Sequence, residues 1–510
     1  MSTWSAGYVS DIEYMPGFYR EQAPAHLDLS CLIAGVAPPD VADGVRYCEL
    51  GCGVGMTCLL LAAADPTGHF VGIDFNPAHI ARGRRFARQA GLANIDLLEA
   101  SFAELLEPDG PRLPQFDYVT LHGVYSWISP ENRRAVVRFL ARHVKPGGVV
   151  YITYNAMPGW MLGGPLQRML SDVARLEPGR SDRAVERAIG FVRAAQAAGA
   201  RPFFDPDIVT RLEKELERGQ SAYLAHEYLN ENWHPLYHGD VAGELADAKL
   251  DFVGSATLLE NYPDLSLTPD QRQLLAGVGV PQVRETFKDY FMIRSFRRDV
   301  FVRGARRLSP DEQEARLRTV PLGLIVPPEG ARYAISVPIG EAKLEERVYG
   351  PIFDALAGGV MTIGELLALP EIAGKSDTTA AEVAGTLVGS SQALAAPARG
   401  ADPSAAAAFN RAVCQEGGRA TTAFAAAALR SGLHATLFDR LTYAGVAAGV
   451  PAEAGPLAEH AWRGLKAGGN ALTRDGRTVA GDEDNLAILR EEIGKVLAAS
   501  LPQWHRLGAL

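Results

Sequence analysis

The sequence predicts an α/β fold whose first half forms a doubly wound, largely parallel sheet. Two observations support this prediction. Short apolar runs alternate with helical segments from residue 45 to residue 154. The first run leads into residues 49–55, Glu-Leu-Gly-Cys-Gly-Val-Gly, with glycine at every second position from Gly51, and the second run ends at Asp74. A glycine loop followed roughly 20 residues later by an acid is the spacing of a nucleotide-type site in a strand–helix–strand unit.

Each element of this half has its own signal in the sequence. Strands are expected over residues 45–50, 69–74, 95–99, 116–121 and 149–154. Helices are expected over residues 56–64, 77–90 and 130–143. The second helix has proline in its first turn, and the third is expected to stop at a Lys-Pro-Gly-Gly turn over residues 145–148. Ligands bind at the carboxyl ends of such strands, so the glycine loop is expected to converge there with Asp74, Ser101, His122 and Asn155.

The alternation stops after residue 160. Residues 161–232 show helical periodicity without a strand pattern. A helix and two strands then follow over residues 241–249, 251–257 and 290–302. We therefore predict one discontinuous domain over residues 1–160 and 233–305, with residues 1–44 as an N-terminal hood and residues 161–232 as a helical insertion. The alternative is a separate middle domain with its own sheet.

Beyond residue 305 the composition shifts and helical patterns dominate. We predict a small helical domain over residues 306–395, winged-helix-like in one interpretation, and a C-terminal helical domain over residues 396–510. The helical patterns cover residues 351–357, 362–369, 380–390, 405–433, 456–467 and 483–500. Because the first of these domains carries no basic stripe, a packing or partner-binding role is favoured over DNA binding.

Composition narrows the classes of function. Lys and Arg total 50 against 60 Asp and Glu, and the net charge of -10 argues against a nucleic-acid partner. No apolar run approaches the roughly 18 residues of a membrane span, and no signal-peptide pattern opens the chain, so a cytoplasmic location without a membrane partner is expected. The cysteines around the glycine loop lack the paired spacing of a zinc site, so no metal is expected. A homodimer is left open.

The glycine loop between Glu49 and Asp74 resembles motif I of class I S-adenosylmethionine-dependent methyltransferases. It does not resemble the G-x-G-x-x-G fingerprint of dinucleotide-binding proteins. Four further stretches resemble bacterial methyltransferases that bear a methyltransferase regulatory domain, a family that includes protein-lysine methyltransferases. These stretches are residues 121–129, 151–160, 226–230 and 296–302. The resemblance covers most of the chain, and it implies a Rossmann-like methyltransferase sheet and S-adenosyl-L-methionine as the cofactor.

The resemblance also implies a cofactor site. Asp74 is expected to accept two hydrogen bonds from the ribose diol. Ser101 and Phe102 stand where the family contacts adenine, with serine in place of the commoner aspartate. The expected cofactor-binding residues are Tyr19, Glu49, Gly51, Cys52, Gly53, Gly55, Asp74, Phe75, Ser101, Phe102 and His122. Tyr8, Tyr14, Tyr19 and Arg20 are expected either to form a hood over the cofactor or to pack the N-terminal segment on the sheet.

Methyl transfer from a sulfonium requires an acceptor held in line, exclusion of water and an uncharged nucleophile. A lysine amine has an ordinary pKa of about 10.4, so a slot with apolar, aromatic walls that disfavours the ammonium would help. The residues expected at the acceptor side are Tyr125, Trp127, Tyr154, Asn155, Trp160, Glu227 and Tyr228. Glu227 is expected to accept a proton or anchor the ammonium, with Tyr228 as a channel wall. The alternative makes these two a helix-packing pair remote from the cofactor.

The sequence therefore predicts an S-adenosylmethionine-dependent methyltransferase that acts on a protein or peptide side chain, at nitrogen and of the lysine type. Two alternatives stay open. One is a small-molecule or glycan methyltransferase, which would have a closed, ligand-sized pocket. The other is a scaffold that binds S-adenosylmethionine without turnover.

Overall fold

A computed structural model of the chain describes residues 7–12, 17–41, 44–177, 179–200, 206–398, 402–416, 423–474 and 477–510. Its centre is a seven-stranded sheet with the strand order β3-β2-β1-β4-β5-β7-β6. The strands are β1 Arg46–Leu50, β2 His69–Asp74, β3 Ile95–Glu99, β4 Phe116–Leu121, β5 Val144–Asn155, β6 Leu250–Ser255 and β7 Phe296–Arg303. Strands β1 to β5 are parallel, and β7 runs antiparallel between β5 and β6. The predicted α/β methyltransferase sheet is confirmed.

Twelve α-helices precede β7 in the described part of the chain. They are α1 Pro24–Ile33, α2 Met56–Ala64, α3 Pro77–Gln89, α4 Pro130–His143, α5 Gly163–Leu176, α6 Ser181–Ala197, α7 Pro206–Glu217, α8 Ser221–Tyr228, α9 His238–Ala246, α10 Pro263–Ser266, α11 Pro269–Ala276 and α12 Pro281–Met292. Helices α5 to α8 lie between the end of β5 and the return of the chain to the sheet, where the sequence predicts a helical insertion. Helices α3 and α4 begin at prolines after Asn76 and Ser129, whose side chains accept hydrogen bonds from backbone N–H groups of the first turn.

The C-terminal region is mainly helical, as predicted. Its helices are α13 Pro310–Arg318, α14 Glu346–Gly358, α15 Ile363–Leu367, α16 Ala380–Gly389, α17 Ser404–Gln415, α18 Leu437–Ala447, α19 Ala454–Ala467 and α20 Asp482–Leu507. Short strands that the sequence patterns do not indicate lie between them. They are β8 Pro321–Leu324, β9 Ala334–Val337, β10 Gly340–Lys343, β11 Met361–Thr362, β12 Ala393–Ala395, β13 Ala423–Ala426, β14 Ser431–His434, β15 Thr473–Arg474 and β16 Arg477–Thr478.

Helix α2 connects this region to the sheet. It begins directly after the glycine loop, and all of its residues are buried. Cys58 and Leu61 pack against the sheet, whereas Leu60 belongs to the buried cluster that also contains Phe424 and Trp504 of the C-terminal region. A helix that is apolar all round is typical of one covered on both sides. The C-terminal region therefore completes the core behind the glycine loop.

The predicted strand over residues 290–302 is wrong in its first part. The first residues of that range belong to the end of α12, and β7 begins only at Phe296. Glu285 and Asp289, one helical turn apart, both accept hydrogen bonds from the guanidinium of Arg297. These ion pairs fix α12 as a helix, and they are tertiary contacts that local sequence patterns do not reveal.

The predicted turn over residues 145–148 is also wrong. These residues belong to β5, which begins at Val144 directly after α4. The pairing of β5 with β4 shifts between Phe116 and Tyr118, and Gly147 has a φ of +78°. The extra residues therefore bulge out of the strand, and glycine provides the left-handed backbone that the bulge requires.

The predicted helix over residues 405–433 is wrong in its second part. Helix α17 ends at Gln415, and residues 423–434 form the hairpin of β13 and β14. At Gly432 a Cβ atom would lie 2.6 Å from the ring of Phe18. This close packing against the N-terminal segment selects the hairpin, although an alanine-rich stretch favours helix by propensity.

The described helices are all too short or too polar to span a bilayer.

Candidate active site

A cavity of about 490 Å³ opens at the carboxyl ends of β1, β2, β4 and β5. Most of the residues predicted to bind the cofactor line this cavity. They are Tyr19, Glu49, Gly51, Cys52, Gly53, Asp74, Phe75, Ser101, Phe102 and His122. Among the described residues, no group of three or more His, Cys, Asp or Glu side chains is arranged to hold a metal ion.

The glycine loop gives the cavity an open backbone wall. The N–H groups of Gly51 and Cys52 both donate to the carbonyl of Ile73, at 2.8 and 3.0 Å, which ties the loop to β2. Gly53 has a φ of +58°, and a Cβ at this position would meet no atom within 4 Å. The loop therefore leaves room for a ligand to lie against its main chain. Gly55 does not line the cavity; it precedes α2, where a Cβ would lie 2.8 Å from Leu97.

Asp74 is held rigidly at the end of β2. Its Oδ2 accepts a hydrogen bond from the N–H of Gly53 at 2.9 Å, and its Oδ1 accepts one from the N–H of Asn76 at 2.9 Å. Nδ1 of His79 lies 3.4 Å from Oδ1. A carboxylate can accept about four hydrogen bonds, so Asp74 keeps acceptor capacity that it can turn to the cavity.

Glu49 provides a buried acid at the base of the cavity. Burial raises the pKa of its carboxyl to about 7, against the opposing hydrogen bonds of Cys58 and Gln22. Its Oε2 has no hydrogen-bond partner in the described part of the chain. A buried acceptor without a partner is costly unless a ligand supplies the donor. Glu49 can therefore accept a hydrogen bond from a donor group of a ligand in the cavity.

His122 is an aromatic wall of the cavity. Its ring stacks on Tyr19 with 3.7 Å between the ring centroids, and its Nδ1 lies 3.1 Å from the hydroxyl of Tyr151. Burial and the nearby Arg298 lower the pKa of His122 to about 3. The imidazole is therefore neutral near pH 7 and a weak base.

The helical insertion brings an acid to the same cavity. Glu227 of α8 lines it together with Trp127, Asn155 and Trp160. Burial raises the pKa of the Glu227 carboxyl to about 7, opposed by the nearby Asn155 amide and by Arg211. Nδ2 of Asn155 is itself buried and has no hydrogen-bond partner of regular geometry among the described residues. This end of the cavity thus combines a titratable acid, an amide and aromatic walls.

Three residues predicted at the acceptor side do not line the cavity. Tyr125 is buried and donates to a carboxylate oxygen of Glu244 at 2.5 Å. Tyr154 donates to Oδ2 of Asp299 at 2.6 Å, because consecutive residues of β5 point to opposite faces and Asn155 takes the cavity side. Tyr228 is buried behind Trp160, with 6.3 Å between the ring centroids.

Helix α8 and the residues just after it supply further parts of the site that the sequence predictions omit. Tyr223, His226 and Asn230 line the cavity together with Glu227. Counted from Tyr223, their spacing of three, four and seven residues is that of one helical face, and Tyr228 falls outside it. This spacing could have identified the set from the sequence.

The N-terminal segment is clasped between the insertion and the cavity. The N–H of Val9 donates to Oδ1 of Asn230 at 2.8 Å, and the N–H of Glu231 donates to the carbonyl of Gly7 at 2.9 Å. Tyr8 lines the cavity, with its ring edge-on to Phe75 at 6.0 Å. Two of the four hood candidates thus line the cavity, namely Tyr8 and Tyr19. Arg20 donates to Ser391 of the C-terminal region instead, and Tyr14 lies outside the described residues.

The chain matches two protein-family models. A model described as a methyltransferase domain matches residues 48–150, and one described as a predicted methyltransferase regulatory domain matches residues 220–303. An uncharacterized Synechocystis protein, sll1526, is 40% identical over 365 residues, which cover 71% of this chain and 71% of that protein. A carboxy-S-adenosyl-L-methionine synthase from Dichelobacter nodosus is 26% identical over 144 residues, 28% of this chain and 58% of the synthase.

A solved structure extends the likeness to nearly the whole chain. PKMT2 from Rickettsia typhi, in complex with AdoHcy, superposes with a TM-score of 0.67 at 16% identity, and the match covers 98% of this chain and 99% of that one. The fold and the site define an S-adenosylmethionine-dependent methyltransferase, and S-adenosyl-L-methionine is its cofactor. The chain belongs to the family of methyltransferases that carry a methyltransferase regulatory domain.

Proposed function

We propose that this enzyme methylates a nitrogen of a protein or peptide side chain, an amine of the lysine type. One observation carries the proposal: the Glu227 carboxyl lines the same cavity as the glycine loop, beside Asn155 and the rings of Trp127 and Trp160. Aromatic faces stabilise the cationic sulfonium of the cofactor, and a nearby acid pairs with an ammonium or accepts its proton. An amine acceptor fits this combination.

Two further observations support a polypeptide acceptor. PKMT2 of Rickettsia typhi, which shares the fold over nearly its whole length, is a protein lysine methyltransferase. Met161 and Leu162, directly after Trp160, are more than half exposed. An apolar rim beside the cavity suits the flanking residues of a polypeptide better than a small polar metabolite.

The cofactor supplies an electrophilic methyl group bound to a sulfonium. We assign the ribose diol to Asp74 and the amino group to Oε2 of Glu49. Phe75 and Phe102 are assigned to the adenine, and the backbone of Gly53 gives the cofactor space along the loop. This assignment uses the free acceptor capacity of the two acids and the open position of the glycine loop.

The residues at the other end of the cavity prepare the acceptor. Glu227 takes the proton of the incoming ammonium or pairs with it, and Asn155 orients the nitrogen. Trp127 and Trp160 exclude water and disfavour the charged form of the amine. The nitrogen lone pair then forms the bond to the methyl carbon while the carbon–sulfur bond breaks, and that electron pair stays on sulfur.

The assignment of Asp74 predicts a loss of cofactor affinity. Asp74→Ala removes charge-assisted hydrogen bonds to the ribose, so S-adenosylhomocysteine should bind more weakly by about 1.5–3 kcal/mol in calorimetric titration. Asp96→Ala, at an exposed position on β3, is the matched control and should bind normally. Unchanged affinity in a folded Asp74→Ala protein would refute the assignment.

The proposed reaction can be tested before the substrate is identified. The enzyme is incubated with methyl-labelled S-adenosylmethionine and a fractionated bacterial lysate, and labelled protein is hydrolysed to amino acids. We expect the label in the protein fraction as methylated lysine. Label confined to small molecules or glycans would overturn the proposal, as would the absence of any transfer by an enzyme that binds the cofactor.

A further inference from the structure

Helix α12 turns apolar side chains outward, to the surface of the molecule, and charged side chains inward. Its outer face carries Val283, Phe287 and Tyr290, followed by Ile293, and these side chains are 38% to 65% exposed. Their spacing of four, three and three residues forms one continuous stripe. A surface helix ordinarily turns its apolar stripe towards the core, so a stripe of this kind facing outward marks an interaction surface.

The inner face explains why the helix cannot rotate to bury the stripe. Glu285 and Asp289 point inward and pair with Arg297, at 2.9 and 2.7 Å, and Asp289 also lies 3.2 Å from Arg294. Turning the helix would leave these buried charges without partners, at a cost that the burial of the stripe could not offset. The outer face of α12 is therefore fixed in its exposed orientation.

The outer face of α12 runs towards the acceptor end of the cavity. Tyr290 stacks on Tyr237 with 6.4 Å between the ring centroids. The residue before Tyr237, Leu236, donates its N–H to the carbonyl of Asn155 at 2.9 Å. At the C-terminal end of α12, Ile293 is followed within three residues by Phe296, which lines the cavity.

The turn after β5, at the mouth of the cavity, also contacts the C-terminal end of α12. The N–H of Gly159 donates to the carbonyl of Arg294 at 3.1 Å, so the turn that carries Met161 and Leu162 lies beside Ile293. Exposed apolar side chains thus follow each other from the cavity mouth along the outer face of α12. A molecule that places a side chain in the cavity would cover this surface with the residues next to that side chain.

The charges near the cavity mouth indicate what kind of molecule would bind to the outer face of α12. The acceptor end of the cavity holds Glu227, and Asp240, whose N–H donates to the carbonyl of Tyr237 at 3.1 Å, lies at the edge of the stripe. The stripe itself carries no charged side chain. The complementary occupant presents a cationic side chain to the cavity and apolar side chains around it.

We propose that the outer face of α12 is the docking surface for the protein substrate, and that it binds apolar or aromatic side chains flanking the acceptor lysine. This inference rests on the proposed function, because it takes the acceptor to be an amine on a polypeptide. Phe287 and Tyr290 are the expected anchors, since exposed aromatic residues that become buried on binding dominate the energetics of protein interfaces.

The test uses two synthetic peptides, each with one lysine, flanked by alanine and serine in one and by isoleucine and phenylalanine in the other. The wild-type enzyme should methylate the apolar peptide with a kcat/KM at least about tenfold higher. Phe287→Ser with Tyr290→Ser should abolish that preference, while the rate with the alanine peptide and the affinity for S-adenosylhomocysteine stay unchanged. Leu437→Ser, a similarly exposed apolar residue on α18, is the control and should keep the preference.

The outcomes separate the two proposals. If the wild-type enzyme methylates neither peptide, the result contradicts an amine acceptor, and the docking surface is then overturned as well. Equal methylation of both peptides by the wild type, or a preference that survives in the double variant, overturns the docking surface alone. The docking surface is also overturned if sedimentation shows a wild-type dimer that the double variant makes monomeric, or if only the wild type binds phosphatidylcholine–phosphatidylglycerol vesicles.

Discussion

We expect Glu227→Gln to lower turnover by about 10²–10⁴-fold, the range typical of a lost acid–base group, and to leave the affinity for S-adenosylhomocysteine unchanged. Glutamine keeps the shape of the side chain beside Asn155 and removes only its ability to take a proton or a charge. The cofactor residues of the glycine loop are on other elements of the cavity wall. Turnover with the labelled cofactor and calorimetric titration together measure the two effects.

The pH dependence gives a second measure of the same group. Burial raises the pKa of Glu227 to about 7, so the carboxyl is protonated below that pH and ionised above it. Only the ionised form accepts a proton, so turnover should rise with pH through about 7 in the wild-type enzyme. In Glu227→Gln this rise should disappear from the profile. The linkage to folding has the opposite sign: because the folded pKa of Glu227 lies above its ordinary value of 4.5, its contribution to stability is fully present below that value and is lost as the pH rises to about 7.

The matched control is Glu217→Gln, an exposed glutamate on the same insertion, which should keep normal turnover and a normal pH profile. Normal turnover in Glu227→Gln would show that Glu227 does not act on the acceptor. A low rate with an unchanged pH profile would contradict its role as proton acceptor, and would limit it to shaping the cavity.

The sequence predicts the cofactor end of the site well because its determinants are local. The glycine loop joins β1 to α2 without interruption, and Asp74 ends the next strand, so strand order alone brings them together. The acceptor end depends on non-local contacts. Glu227 reaches the cavity only because α8 packs beside the N-terminal segment, where His226 lies 3.2 Å from the carbonyl of Ile12.

The errors in the predicted secondary structure also arise from contacts that local sequence patterns do not contain. The aromatic content of residues 290–292 favours a strand, but buried ion pairs to Arg297 keep them in α12. The alanine content of residues 423–434 favours a helix, but the space left by α2 and Phe18 accepts only a hairpin with Gly432 at the closest approach. In both places a tertiary contact, to Arg297 in the first and to Phe18 in the second, overrides local propensity.

The second large effect that we expect is on the free energy of unfolding, and it concerns the buried ion pairs of Arg297. Arg297 is buried and donates to both oxygens of Asp299 at 2.9 Å and to both oxygens of Asp289 at 2.7 and 2.8 Å. Asp299 also accepts a hydrogen bond from Tyr154 at 2.6 Å and lies 3.0 Å from His238. Arg297→Met would leave two buried carboxylates without their main counter-charge. We expect it to lower the free energy of unfolding by about 3–5 kcal/mol, measured by chemical denaturation at pH 7.

The size of this effect depends on the charge left behind, which suggests two comparisons. Arg306→Met breaks only an exposed ion pair to Glu312 and should change stability little. Combining Arg297→Met with Asp289→Asn removes one stranded carboxylate and should recover part of the loss. Equal stability of the single and double variants would show that packing, and not uncompensated charge, accounts for the effect.

The same network should make the enzyme sensitive to acid. Burial alone would raise the pKa of Asp299, but Arg297 and the His238 hydrogen bond hold it well below its ordinary value. A depressed carboxyl pKa stabilises the fold above the unfolded value near 4, and this contribution is lost as the pH falls towards the folded value. Unfolding of the wild type should therefore become easier below about pH 4, whereas Arg297→Met should lose much of that dependence. An equally steep acid transition in the variant would place the responsible carboxylates elsewhere. Because α12 and β7 meet at this network, its loss should also disturb Phe296 at the cavity and the outer face of α12 together.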